Sequence, residues 1–155
     1  MKKISKQQDK ICYVVSACLA GVPCRWNKKS KENSLALNKF LKGEAILLCP
    51  EIMGGLTTPR PACEIVGGDG TDVLSGRAKV IDKHGKNYTK TFVKGAQMAL
   101  STVKRYNIKK GILKSGSPTC GVNVIYKGDF SGKKKKGSGI FAVLLQKHNI
   151  KITEV

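Results

Sequence analysis

The sequence predicts an α/β protein: a single-domain, three-layer, Rossmann-like fold around a mainly parallel sheet. Three observations predict it. Short apolar runs alternate with longer segments of helical period, the pattern of strand–helix–strand units rather than of hairpins. The chain has 155 residues, enough for one substantial core. Its apolar share, 41%, is ordinary for a folded domain and argues against disorder.

Taken in order, residues 1–10 read as a basic N-terminal extension and 11–155 as the domain. "ICYVVS" reads as a buried strand, with Cys12 a packed small residue inside it. "SKENSLALNKFLKG" spaces Leu35, Leu37, Phe40 and Leu41 mostly as a helix would, with Gly43 as its stop. "EAILLC" is a second strand. "GRAKVIDKHGKNYTKTFVKG" reads as a short strand, a His-Gly turn and the start of a long helix. That helix, "TKTFVKGAQMALSTVKRYN", places Phe92, Ala96, Ala99 and Val103 on one face. "IKKGILK" is a third core strand and "VNVIY" a candidate fourth. "SGKKKKGSG" reads as a flexible, solvated loop, "GSGIFAVLLQKHN" as a final helix ending near Asn149, and "IKITEV" as a strand closing the sheet. There is no internal repeat and no linker.

Composition narrows the function classes. No apolar run is long enough to span a bilayer. The N-terminus "MKKISKQQDKICYVV" has an apolar stretch of only about five residues, too short for the core of a signal peptide. The expected location is therefore the cytoplasm, with no membrane partner. The net charge of +19 favours contact with a polyanion such as RNA. Yet only four of the 29 basic residues are Arg, the better fork for phosphate and base edges.

Six cysteines, Cys12, Cys18, Cys24, Cys49, Cys63 and Cys120, in a reducing compartment point to metal or catalysis rather than disulfides. Cys18 follows the first predicted strand, Cys49 ends the second, and Cys120 lies in "KSGSPTCG" after the third. Ligands of open α/β sheets bind beyond the carboxyl ends of the strands. Three parallel neighbours would therefore bring three thiols to one edge. The spacing lacks the paired cysteines of zinc ribbons and fingers. Soft thiolates favour zinc, copper(I) or an iron–sulfur cluster. Three thiolates on a 4Fe-4S cube would leave one iron open as a Lewis acid. From spacing alone, a metal or cluster site and three structural cysteines remain equal alternatives.

The neighbours carry further chemistry. Glu51, two residues beyond Cys49, suits a general base or acid, against the alternative of a helix-start or surface charge. Ser117 suits a proton-handling hydroxyl, or simply a turn cap. Arg60, between two prolines in "TTPRPACEI", suits a rigidly aimed guanidinium for substrate, or a surface salt bridge. Gly54, Gly55, Gly116 and Gly121 would allow backbone to approach a ligand. His84 and His148 read as turn and helix-end residues without chemistry.

Four segments, "VSACLAGVPCRW", "CPEIMGGLTTPRPACEI", "LKSGSPTCG" and "IYKGDFSG…GSGIFAVLL", occur in order from about Val14 to Leu145. Together they resemble the bacterial and archaeal family first catalogued as a domain of unknown function and now associated with thiouracil desulfidases. The resemblance implies a non-redox enzyme that converts 2- or 4-thiouracil to uracil and hydrogen sulfide. It implies a 4Fe-4S cluster with one open iron, held here by Cys18, Cys49 and Cys120, with Cys24 beside the cluster but not a ligand. It implies Glu51 and Ser117 as the catalytic pair, with Glu44 and Glu64 as rival carboxylates on flanking segments. One departure is that the family commonly reads Pro-Pro-Ala-Glu-Ile where this chain has Pro-Ala-Cys-Glu-Ile, so that Cys63 is an extra thiol. The partner expected is a small thiolated pyrimidine. Thiolated uridine in tRNA, a sulfide carrier for tRNA thiolation and a structural zinc module are the competing readings. Oligomeric state and the physiological base are not legible.

Overall fold

The computed structural model describes residues 9–155, so all but the last two residues of the predicted N-terminal extension lie outside it. Four parallel strands form the central sheet: β1 (Tyr13–Ser16), β2 (Ala45–Leu48), β5 (Lys110–Leu113) and β8 (Lys151–Glu154), in the order β2-β1-β5-β8. β1 lies inside the sheet, and Val14 and Val15 are both fully buried although they point to opposite faces. Val14 and Leu113 join one apolar cluster, Val15 and Ile112 the other. These two clusters are what make the fold three-layered.

The larger layer rests on α4 (Thr89–Arg105), whose Phe92, Ala96, Ala99 and Val103 are buried as their spacing predicts. α5 (Ile140–Lys147) packs beside it. The opposite layer is built on α1 (Ser34–Leu41) and the 3-10 turn Ala17–Ala20. Asn33 caps α1, its side-chain oxygen accepting from the Ala36 amide at 3.2 Å. The predicted apolar face of this helix is corrected by the structure. Ala36 is the buried residue, while Leu35, Phe40 and Leu41 are exposed, because a small side chain lets the helix lie close to the sheet.

Two antiparallel ribbons flank the sheet. β3 (Cys63–Val66) pairs with β4 (Lys79–Asp82), and β6 (Val124–Tyr126) with β7 (Lys134–Lys136). "VNVIY" is thus a strand, but not the fourth of the sheet. The lysine run read as a loop is its partner, where Lys134 lies 5.5 Å from the centre of the Tyr126 ring. β8 takes the sheet's fourth place, as "IKITEV" predicts. Cys12 is exposed just before β1 rather than packed within it.

The short helix α2 (Pro50–Met53) follows β2 and packs on α4. A Cβ on Gly95 would collide with the Pro50 carbonyl, and one on Gly54 with the Thr91 carbonyl. The first function of Gly54 is therefore to seat this helix, not to admit a ligand. Its seating fixes Cys49 and Glu51. No helix among the described residues is long and apolar enough to cross a membrane.

Candidate metal and substrate site

Cys18 sits in the 3-10 turn after β1, Cys49 is the cap residue of α2 after β2, and Cys120 lies in the turn after β5. These three strands are adjacent and parallel, so their carboxyl ends deliver all three thiols to one cavity of about 410 Å³. Glu51, Arg60, Ser117, Cys24 and Cys63 line the same cavity. The predicted thiols, carboxylate, hydroxyl and guanidinium are thereby brought together, although they span about a hundred positions in the chain, while Gly54, Gly55, Gly116 and Gly121 do not line the cavity.

Four of the cavity thiols, Cys24, Cys49, Cys63 and Cys120, are held neutral by their surroundings. The Cys18 side chain and then burial push the Cys24 thiol up to about 11, with Cys49 opposing them. The Cys49 thiol is raised well above the ordinary range by the hydrogen bond with Cys24 and then by burial. Its Sγ also lies 3.9 Å from the Cys24 carbonyl oxygen. Burial raises Cys120, with a hydrogen bond from Ser16 opposing it. Burial and then the charges of Glu51 and Asp82 push Cys63 up to about 12. A thiophilic metal group would bind here with release of protons.

Among the described residues, no three His, Cys, Asp or Glu side chains are gathered tightly enough to grip one metal ion. A single tetrahedral ion with sulfur ligands needs them roughly 3.8 Å apart. Cys18, Cys49 and Cys120 line one shared cavity. That soft donor set fits an iron–sulfur group.

Glu51 is the best-anchored polar side chain of the cavity. Arg60 donates to its Oε1 through Nε at 3.1 Å and Nη2 at 3.0 Å, and the Thr119 hydroxyl donates to Oε2 at 3.2 Å. The Arg60 side chain is only 5% exposed, so its salt bridge is not the surface pair that the sequence allowed. One rival carboxylate shares the cavity: Glu64 lines it too. Glu64 Oε1 accepts the amides of Gly128 and Phe130, which staples β3 to the loop after β6. Glu44 pairs with Lys39 at the opposite end of β2.

The Ser117 hydroxyl oxygen accepts the amides of Thr119 and Cys120 at 3.0 and 3.1 Å. It therefore does cap the turn, and its own proton remains available for donation into the cavity. Gly121 belongs to the same turn, where a Cβ would press on the Ser117 and Val124 carbonyls. His84 and His148 lie on the exterior, the latter against the Leu144 carbonyl.

Sequence reasoning missed several cavity residues, among them Lys114, Ser16, Trp26 and Tyr126. Lys114 heads the "KSGSPTCG" stretch, and its ammonium donates to the Ser115 carbonyl at 2.9 Å. Burial and then Arg25 and Lys134 hold it below the ordinary lysine range. Ser16, at the end of β1, accepts the Lys114 amide at 3.1 Å. Trp26 and Tyr126, both partly exposed, supply flat apolar surface to the cavity wall. The "PCRW" run was the available signal for Trp26. The other three had none, because only tertiary packing brings Lys114, the end of β1 and the end of β6 to one cavity.

The comparisons with known proteins agree with this geometry. The family model described as 2-thiouracil desulfurase matches residues 13–155. The curated protein YbbK of Bacillus subtilis (strain 168) is 40% identical over 139 residues, covering 90% of this chain and 92% of its own. A solved structure described as the 4Fe-4S-dependent thiouracil desulfidase TudS superposes with a TM-score of 0.82 at 35% identity. That match covers 93% of this chain and 90% of the other.

Proposed function

Because this chain belongs to the 2-thiouracil desulfurase family, we propose that it is a 4Fe-4S-dependent, non-redox desulfidase acting on 2- or 4-thiouracil or a related thiolated base. One observation carries the reading: three thiols from the ends of three adjacent strands share a cavity with an anchored carboxylate and a free hydroxyl proton. The reaction balances with water alone. The thiocarbonyl carbon gains oxygen, the sulfur leaves with two protons as hydrogen sulfide, and no electron is required.

Cys18, Cys49 and Cys120 would hold the cluster, with Cys24 beside it, and the cluster would supply an open, Lewis-acidic iron for the soft thiocarbonyl sulfur. Glu51 takes a proton from the water that adds to the ring carbon. Ser117 donates its hydroxyl proton to the pyrimidine, since its oxygen is already occupied by two amides. Trp26 and Tyr126 offer faces on which a flat base can stack.

A thiolated uridine within tRNA is the second reading, favoured by the +19 charge and by Arg25, Lys83 and Lys114 in the cavity wall. A sulfide carrier is disfavoured, because a carrier has no use for a held carboxylate. The test is iron and acid-labile sulfide per chain in oxygen-free protein, followed by hydrogen sulfide release from 2- and 4-thiouracil. About four of each per chain with sulfide release supports the reading. Zinc without iron, even after reconstitution, overturns it. Turnover of thiolated tRNA that exceeds that of the free base and falls steeply with salt selects the second reading.

A further inference from the structure

An ionised carboxylate offers about four lone-pair positions to donors. Arg60 fills two on Glu51 and Thr119 a third. Only about one is left for a proton from elsewhere. Three of the five N–H donors of Arg60 are used inside the protein: besides Nε and Nη2 on Glu51, Nη1 donates to the Thr57 carbonyl at 3.1 Å, and the side chain is 5% exposed. Its backbone is tied as well. The Arg60 amide donates to the Trp26 carbonyl at 2.9 Å, and the Thr58 hydroxyl donates to the Arg25 carbonyl at 2.8 Å. Thr119 is 1% exposed and immediately precedes Cys120, with its amide held by Ser117. The two donors thus reach Glu51 from two different loops, one beside Cys24 and one beside Cys120.

We propose that Arg60 and Thr119 are positioning residues that clamp Glu51 in one rotamer, and that Arg60 does not contact the substrate. The clamp leaves a single acceptor position for the water proton. It also ties the carboxylate to the turn carrying Cys120, so that base and thiol keep a fixed separation. This rests on the reading of Glu51 as the base.

The test is a double-mutant cycle on the cluster-loaded enzyme, using Arg60→Met and Thr119→Val, each alone and combined with Glu51→Gln. Iron per chain, melting temperature and the dissociation constant of 2-thiouracil are measured beside kcat and KM. Arg60→Met should lower kcat by about 30-fold and Thr119→Val by about 10-fold, with KM and the dissociation constant moved by less than about 3-fold. In the Glu51→Gln background each should cost less than about 3-fold, because the group they act through is already disabled. Thr119→Ser should restore most of the Thr119→Val loss.

A rise of about 10-fold in KM or in the dissociation constant for Arg60→Met would show a substrate contact and overturn the proposal. So would a full, additive loss in the Glu51→Gln background. Should Arg60→Met fail to retain iron, Arg60→Lys keeps the charge without the fork and decides by the same two criteria. A Glu51→Gln enzyme with normal turnover overturns the base assignment itself, an outcome distinct from failure of the clamp.

Discussion

Strand β2 has a glutamate near each end, and both are paired with a basic side chain at nearly the same distance. At the amino end Glu44 meets Lys39 at 3.1 Å, with side chains 27% and 26% exposed. At the carboxyl end Glu51 meets Arg60 at 3.0 Å, with side chains 17% and 5% exposed. The first is one contact between a carboxylate and a flexible ammonium in water, a kind of pair that contributes little. The second is a two-pronged contact with a planar guanidinium, with a threonine hydroxyl on the other oxygen and three candidate ligand thiols around the same cavity. The same residue type is a surface charge at one end and, in the proposed reaction, the base at the other. In parallel sheets the carboxyl ends are where loops converge, and that topology separates them.

This contrast can be broken in several places. The largest effect is expected from the thiols: Cys120→Ser should abolish turnover and take iron well below the about four per chain of the intact enzyme. Cys63→Ala, in the same cavity, should retain both; iron loss there would make Cys63 part of the ligand set. Next, Glu51→Gln should retain iron yet lower kcat by about 10²- to 10⁴-fold, the range of a general base. Ser117→Ala should lower kcat by about 10-fold, and iron analysis separates this from damage to the Cys120 turn.

The two ends should also differ in their pH windows, read as melting temperature of iron-free protein. Cys24 and Cys63 have thiols raised to about 11 and about 12, so the folded state favours their neutral form. Their contribution is fully present below the unfolded thiol value and is lost as pH rises from about 9 toward 12. Glu44 is shifted the other way: the Lys39 hydrogen bond holds its carboxyl below the ordinary range. Its contribution is present above the unfolded value and lost as the solution is acidified through the folded one. A flat melting temperature between pH 9 and 11 would mean that the cavity thiols are not held neutral. The smallest effect is expected from Glu44→Gln, which should leave turnover unchanged and remove only a small acid-side fall in melting temperature.

Much of this was legible in local pattern. "YVVS", "AILL" and "KGIL" are strands because short apolar runs of this kind can be buried on both faces of a parallel sheet. The spacing of Phe92, Ala96, Ala99 and Val103 marked the face of α4 that is buried. The placement of Cys18, Cys49 and Cys120 just beyond three strands was enough to foresee their convergence, given a rule about sheet edges. Errors arose where burial depends on a partner far along the chain. Leu35, Phe40 and Leu41 of α1 have the right period but stay exposed, because Ala36 makes the close contact. "VNVIY" had the composition of a core strand, yet the lysine run 134–136 became its partner and β8 filled the sheet position.

By itself, then, the sequence determined most of the elements, the α/β class, the family and a set of candidate site residues. Each of these is written in short-range periodicity or in motifs contiguous along the chain. Only the tertiary structure decided that β1 lies between β2 and β5, that Arg60 and Thr119 grip Glu51, and that Lys114, Ser16, Trp26 and Tyr126 line the cavity. Thr119 lies 68 positions from Glu51 in the chain. No periodicity encodes such a meeting; it is set by the packing of α2 on α4 and by the order of the strands.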